Sequence, residues 1–237
     1  MYGIRVRACP GANRLLAALP ADDYARLARH LETVALPLKQ VLYAPDVPIP
    51  HVYFPTEGVC SLLQIMADGT AVEVATVGHE GLVGLPVFLG VASTPGQALV
   101  QVPGAALRLA TDIFRREVVC GCPLHALLQR YTQALLVQMA QGLACNHLHP
   151  IAARCARWLL QTHDHVRAEE FQLTQEFLAQ MLGVRRASVN AAAGALQRAG
   201  LIRYARGIIT IRDRPGLEAV ACECYGIIQA QHDRVFS

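Results

Sequence analysis

The chain has 237 residues, 53% of them hydrophobic and 16% charged, with a formal net charge of +3. That length suits two domains, and the composition supplies a sizeable core and excludes global disorder. No run of about 18 uncharged apolar residues offers a membrane span, and the start MYGIRVRACPGANRLLAALP lacks the long apolar run and small-residue cleavage site of a secretory leader, so a cytoplasmic location is expected.

Residues 13–34 are helical in period, with Leu15, Leu16, Leu19, Leu27 and Leu31 as the apolar set. Pro20, followed by Asp22 and Asp23, predicts a turn and a second helix start. The chain then changes character. Val52-Tyr53-Phe54, Val59 to Met66 and Ala71 to Val77 are strand candidates broken by Pro and Gly. Asp68-Gly69 is a hairpin turn signal, because both positions tolerate positive φ. A further strand pair is expected at Ala98–Val102 and Ala106–Ala110. Many short strands at regular spacing predict a small antiparallel, jelly-roll-like β-roll.

The helical period returns near Cys122. Leu124, Leu128, Tyr131, Leu135, Gln138, Gly142 and Cys145 recur at spacings of four and three, a heptad-like stripe. Such a helix either packs on its own domain or pairs with a second copy. The small or polar Gln138 and Gly142 favour the pairing, which makes Leu124, Leu128, Tyr131, Leu135, Gln138 and Gly142 the expected dimer interface. Pro150 breaks the pattern, and IAARCARWLLQTHDH forms another amphipathic helix with Ile151, Cys155, Trp158 and Leu159 inward. The expected division is therefore a roll domain over 1–121, a dimerisation helix over 122–149 and a C-terminal domain over 150–237.

LTQEFLAQMLGVRRASVNAAAGALQRAG, residues 173–200, reads as a helix pair. Thr174 can cap the first helix, Gly183 supplies the turn between the two, and Gly200 ends the second. LIRYARGIITIRD then makes a short hairpin, and a helix is expected after Pro215. Helix, tight turn, helix and hairpin wing is the winged helix-turn-helix order. Charge supports it. Residues 1–150 carry ten basic and ten acidic side chains, whereas residues 151–215 carry ten arginines and five acids. A basic excess confined to the segment that contains the helix pair is the footprint of a nucleic-acid module. An enzyme would need another signature, and no Gly-x-Ser-x-Gly, phosphate loop or His-Glu-x-x-His is present.

LTQEFLAQMLGVRRASVNAAAGALQRAGLIRYARGIITI resembles the DNA-binding domain of Crp/Fnr-type bacterial transcription regulators, and the order of roll, long helix and winged helix-turn-helix resembles their whole chain. The resemblance implies an α+β fold and a homodimer on a two-fold symmetric operator of double-stranded DNA. It also brings RNA polymerase into consideration as a partner. By the family pattern, Arg186 stands where the first base-reading arginine does, suited to a guanine. Ala187 and Ala191 replace the glutamate and second arginine. Ser188 and Asn190 can help instead, and Thr174, Arg185 and Arg206 are placed for phosphates.

The roll of cyclic-nucleotide binders carries a Phe-Gly-Glu … Arg-Ser-Ala cassette. Aligned on Gly84 and Ala98, its glutamate falls on Leu85 and its arginine on Gly96. A desolvated phosphate without a cation is costly, so cyclic AMP in the usual mode is not expected, and neither a cofactor nor an effector is assigned. His79 and Glu80 read as loop residues, with His79 a weak haem candidate by analogy. Metal-, haem- or redox-responsive control is the alternative. In the oxygen-sensing branch of the family that the chain resembles, an iron–sulfur cluster is held by cysteines of which three cluster near the N-terminus, where this chain has only Cys9. Cys120-Gly-Cys122 and Cys222-Glu-Cys224 are too closely spaced for a zinc knuckle, while His147 and His149 are within reach of Cys145. No metal site is expected from this spacing.

Overall fold

The computed structural model describes residues 13–166 and 168–237; Cys9 lies outside them. Two short helices open the fold, α1 (Arg14–Ala17) and α2 (Ala21–Ala28). Asn13 caps α1 through its side-chain oxygen, which accepts from Leu15 N and Leu16 N.

The roll consists of β1 (Glu32–Leu36), β2 (Val41–Tyr43), β3 (His51–Ile65), β4 (Ala71–Val77) and β5 (Gly96–Ala110), with α3 (Leu85–Phe88) between the last two. The strands pair antiparallel in the order β1-β5-β3-β4, with β2 also on β5. The Asp68-Gly69 turn forms as expected, closed by Gly69 N donating to Met66 O at 2.9 Å.

Two expectations are corrected. The candidate strands at 52–54 and 59–66 are one strand, β3, and those at 98–102 and 106–110 are one strand, β5. The Pro-Gly signals inside them mark bulges rather than chain reversals. A Cβ on Gly104 would lie 2.2 Å from Glu57 O, so this glycine allows the two bulged backbones to touch.

After α4 (Thr111–Glu117) comes α5 (Pro123–Leu148), whose N-terminus accepts capping by Cys122. The expected dimer stripe faces inward. Leu124, Leu128, Tyr131, Leu135 and Gln138 are buried against the chain's own roll, and Gly142 is half-buried. The physical reason is that the roll leaves an apolar face that α5 must cover. Gln138 is committed there too, its Nε2 donating to Thr76 O and Oγ1, each at 3.2 Å. The opposite face of α5 stays exposed, with Gln129, Gln133, Leu136, Ala140, Leu143 and His147 recurring at spacings of four and three.

Past Pro150, α6 (Ile151–Val166) leads into β6 (Glu170–Gln172), α7 (Gln175–Leu182), α8 (Arg186–Arg198) and the hairpin β7 (Ile202–Ala205) and β8 (Ile208–Ile211). The sequence signals miss β6, which pairs with β8 to complete a three-stranded sheet. The single helix expected after Pro215 is two, α9 (Arg214–Val220) and α10 (Cys224–Asp233), parted at Ala221–Glu223. Val59, Leu63 and Val102 of the roll share one apolar cluster with Trp158, Leu160 and Met181, so the helix-turn-helix region is docked on the sheet.

Candidate nucleic-acid interface

The helix pair is fixed from inside. Leu178, Met181 and Leu182 of α7 pack with Val189, Ala192 and Leu196 of α8 in one buried cluster. Thr174 Oγ1 accepts from Phe177 N at 3.1 Å, which caps α7 as its position suggested. Gly183 adopts φ 62°, ψ 39°, the left-handed geometry that lets α7 stop and α8 turn away. The wing turns at Arg206 and Gly207, with φ 53° and 76°, the positive-φ pair of a tight hairpin.

This core leaves one polar face outward. Arg185, the residue before α8, and Arg186, Ala187, Asn190, Ala191 and Arg198 of α8 are exposed, as are Arg203 and Arg206 of the wing. Ser188 is half-buried and Thr174 exposed. The N-terminus of α8 has no side-chain cap and no acid in its first turn. Its free N–H groups and positive dipole end therefore stand beside Arg185 and Arg186, a setting suited to an anion. Asn190 is not idle: its Oδ1 accepts from Gln175 Nε2 at 3.0 Å. Gln175, at the first position of α7, is a residue that sequence reasoning missed. Only its polarity directly after a capping Thr could have flagged it.

A cavity of about 610 Å³ lies between the roll and α5, within the size range of small-molecule sites. Leu85 and Gly96, the aligned cassette positions, both line it. Most of its wall is apolar, and its charged lining residues are Glu73 and Arg157. Trp158 Nε1 donates to Glu73 Oε1 at 2.7 Å, yet burial dominates and pushes the Glu73 carboxyl up to about 7. The cavity also reaches Leu136 and Leu143 on the exposed side of α5.

Two clusters of polar and titratable side chains lie outside the cavity's lining. Glu80 is a buried ion-pair partner, its Oε2 standing 2.9 Å from His165 Nδ1, rather than the plain loop residue expected. Burial opposes both charges, but the pair outweighs it, holding Glu80 below the usual carboxylate range and His165 above its ordinary value. His79 is buried beside them, its ring 6.5 Å from that of His165. The other cluster joins Cys145, His149, Cys222 and Cys224, whose ligand atoms all lie within 4.8 Å of one another. The pattern Cys222-Glu-Cys224, set aside as too close for a zinc knuckle, is thus half of a four-residue constellation. His147 is exposed and stands apart from it.

Among the described residues, no helix is long and apolar enough to cross a membrane. Residues 153–220 match the family model of the Crp-like helix-turn-helix domain. No curated protein sequence matches the chain. Solved structures do. FixK2 from Bradyrhizobium japonicum superposes with a TM-score of 0.68 at 17% identity, over 81% of this chain and 98% of that one. A putative transcriptional regulator of the Crp/Fnr family from Eubacterium rectale gives 0.67 at 15% identity, over 88% and 98%. The Crp/Fnr-family regulator TTHA1359 from Thermus thermophilus gives 0.63 at 21% identity, over 80% and 98%. The chain therefore has the α+β fold of Crp/Fnr-family transcriptional regulators, ending in a Crp-like helix-turn-helix domain.

Proposed function

We propose that this protein is a sequence-specific DNA-binding transcription regulator that acts as a homodimer on a two-fold symmetric operator. The observation that carries the proposal is the outward face of α8, an uncapped N-terminus flanked by Arg185 and Arg186, together with the exposed Arg203 and Arg206 of the wing that follows it. Arg186 reads a guanine through its forked guanidinium, while Arg185, Arg206 and Thr174 hold phosphates. Ser188 and Asn190 add contacts; the Asn190 oxygen that accepts from Gln175 keeps a second lone pair, and its NH₂ donors are not used by that bond, so its amide can still pair with an adenine edge. Ala187 and Ala191 offer neither donor nor acceptor. The operator therefore differs from that of regulators with a glutamate and a second arginine there.

The homodimer forms on the outer face of α5, through Leu136, Leu143 and the residues in step with them, because the inner stripe is consumed by the roll. A second copy on this face also covers the side of the cavity bordered by Leu136 and Leu143. Effector binding and dimer geometry then share a surface.

Cyclic AMP is not the effector in the usual mode. The cassette positions are Leu85 and Gly96, which supply neither the carboxylate nor the cation of that mode, and Arg157, the cation among the described lining residues, has its Nη1 donating to Gln161 Oε1. The mainly apolar wall favours a neutral, largely apolar ligand with a group that hydrogen-bonds Glu73. A haem at His79 is not favoured, since the cavity there measures about 230 Å³, below the ~300–1,000 Å³ of small-molecule sites.

Selection from a randomised DNA library tests the reading. An enriched two-fold symmetric motif, with Arg186→Ala relaxing one base preference in each half, supports it. Recovery of unenriched sequence refutes it. In the same assay cyclic AMP leaves the affinity unchanged.

A further inference from the structure

We infer that Cys145, His149, Cys222 and Cys224 form a structural metal site for a thiophilic divalent cation, zinc, that clamps the α5–α6 junction to the α9–α10 linker.

The four donors come from distant parts of the chain and converge. Cys145 lies in the last turn of α5, and His149 is that helix's C-terminal capping residue, next to Pro150. Cys222 and Cys224 bracket Glu223 at the start of α10. Cys145 Sγ and Cys222 Sγ are 3.4 Å apart, and Cys224 Sγ is 3.5 Å from His149 Nδ1. A tetrahedral zinc with bonds of ~2.3 Å to sulfur and ~2.0 Å to nitrogen sets its ligand atoms roughly 3.5–3.8 Å apart. The constellation is therefore already near the size of a zinc site, and three cysteines with one histidine are a donor set of closed structural sites.

The surroundings are also those of a metal centre. His149 turns Nδ1 toward the sulfurs, while its Nε2 lies 3.2 Å from Glu223 Oε1. A carboxylate on the far nitrogen fixes the tautomer and orientation of a ligating imidazole. Gln141 Nε2 donates to Cys224 Sγ at 3.1 Å, a bond suited to a thiolate. Three thiolates and one divalent cation leave a single negative charge, and Arg157 and Arg154, buried on α6, act on it electrostatically. A disulfide between Cys145 and Cys222 would use two of the four groups and leave the placement of Cys224, His149 and Glu223 without a purpose.

The clamp has a definite mechanical consequence. Pro150 interrupts the chain between the long helix and the DNA-binding region, and the site grips that break from the C-terminal side. An occupied site fixes the direction in which α6 leaves α5.

The test is elemental analysis of the full-length protein, purified under reducing conditions without a metal-affinity step. One zinc per chain is expected. The metal should fall at least tenfold in Cys224→Ser and in Cys145→Ser, but not in Cys120→Ser, whose thiol is exposed and remote. Should a variant fail to fold, the wild type suffices: cobalt(II) added after chelation gives the intense visible bands of a tetrahedral thiolate site, and thiol titration finds three fewer reactive cysteines with metal than without. Little zinc even after zinc supplementation, with no cobalt–thiolate bands, overturns the inference. So does a Cys145–Cys222 disulfide in protein mapped directly after lysis into a thiol-blocking reagent.

Discussion

The outward face of α5 makes a quantitative prediction. Leu136 and Leu143 are 56% and 63% exposed in the single chain. Truncating each to alanine removes three carbons, worth ~2.4 kcal/mol if fully buried, at ~0.8 kcal/mol per CH₂. Somewhat over half of that surface is available for burial by a partner, so each side chain contributes ~1.4 kcal/mol to pairing. The symmetric dimer counts each residue twice, so Leu136→Ala with Leu143→Ala weakens association by ~5.6 kcal/mol, a factor of about ten thousand. Sedimentation equilibrium of the double variant should show monomers at concentrations where the wild type is dimeric, with an unchanged circular dichroism spectrum. Leu135→Ala is the contrast: that side chain is 3% exposed where α5 packs on the roll, so its loss should cost ~2–5 kcal/mol of folding stability. An undiminished dimer in the folded double variant would refute the assignment of this face.

Three more expectations follow from individual side chains. Arg186→Ala should weaken operator binding by ~1–3 kcal/mol, or about 5- to 150-fold, and level one base position, as read by competition gel shift. Glu73→Gln should stabilise the protein at alkaline pH. The folded carboxyl titrates near 7 and the unfolded one near 4.5, so wild-type stability falls by roughly 3 kcal/mol as pH rises through that window. The variant lacks that loss, so urea midpoints should differ at about pH 8 and nearly coincide at about pH 4.5. The Glu80–His165 pair gives a different profile. With the histidine raised, its share of stability is complete below ~6.5 and is lost as pH rises through the higher folded value. With the carboxylate lowered, its share is present above ~4.5 and lost only as pH falls toward the lower folded value. His79, Glu73, Asp164, His232 and Arg14 surround the pair. The double variant Glu80→Gln with His165→Gln should flatten the alkaline limb of the stability curve measured in Glu73→Gln.

The parts legible in the sequence are those that local chemistry dictates. Thr174, Gly183 and Gly207 announce the helix pair and wing because each occupies a backbone position few residues serve as well. Core positions such as Leu178, Val189 and Leu196 follow from helical period alone. What the sequence hides is direction. Heptad spacing runs along both sides of α5: one row buried through Leu128, Tyr131 and Leu135, the other exposed through Leu136 and Leu143. Periodicity cannot tell which row the roll will claim. The Pro103-Gly104 pair likewise looks like a reversal, and only the facing bulge at Glu57 and Gly58 shows why β5 runs on. Gln175 and Asn190 meet through the turn at Gly183, and Cys145 meets Cys222 across 77 residues. Contacts of that kind leave no trace in spacing.

The central claim is that the chain recognises DNA through α8 as a dimer. Its most direct measurement is the affinity of the purified protein for its library-selected operator and for a scrambled duplex, across a salt series. Two chains should bind each symmetric site, the operator should be favoured at least a thousandfold, and both affinities should fall steeply as salt rises. Equal, weak and salt-insensitive binding to the two duplexes would contradict the claim.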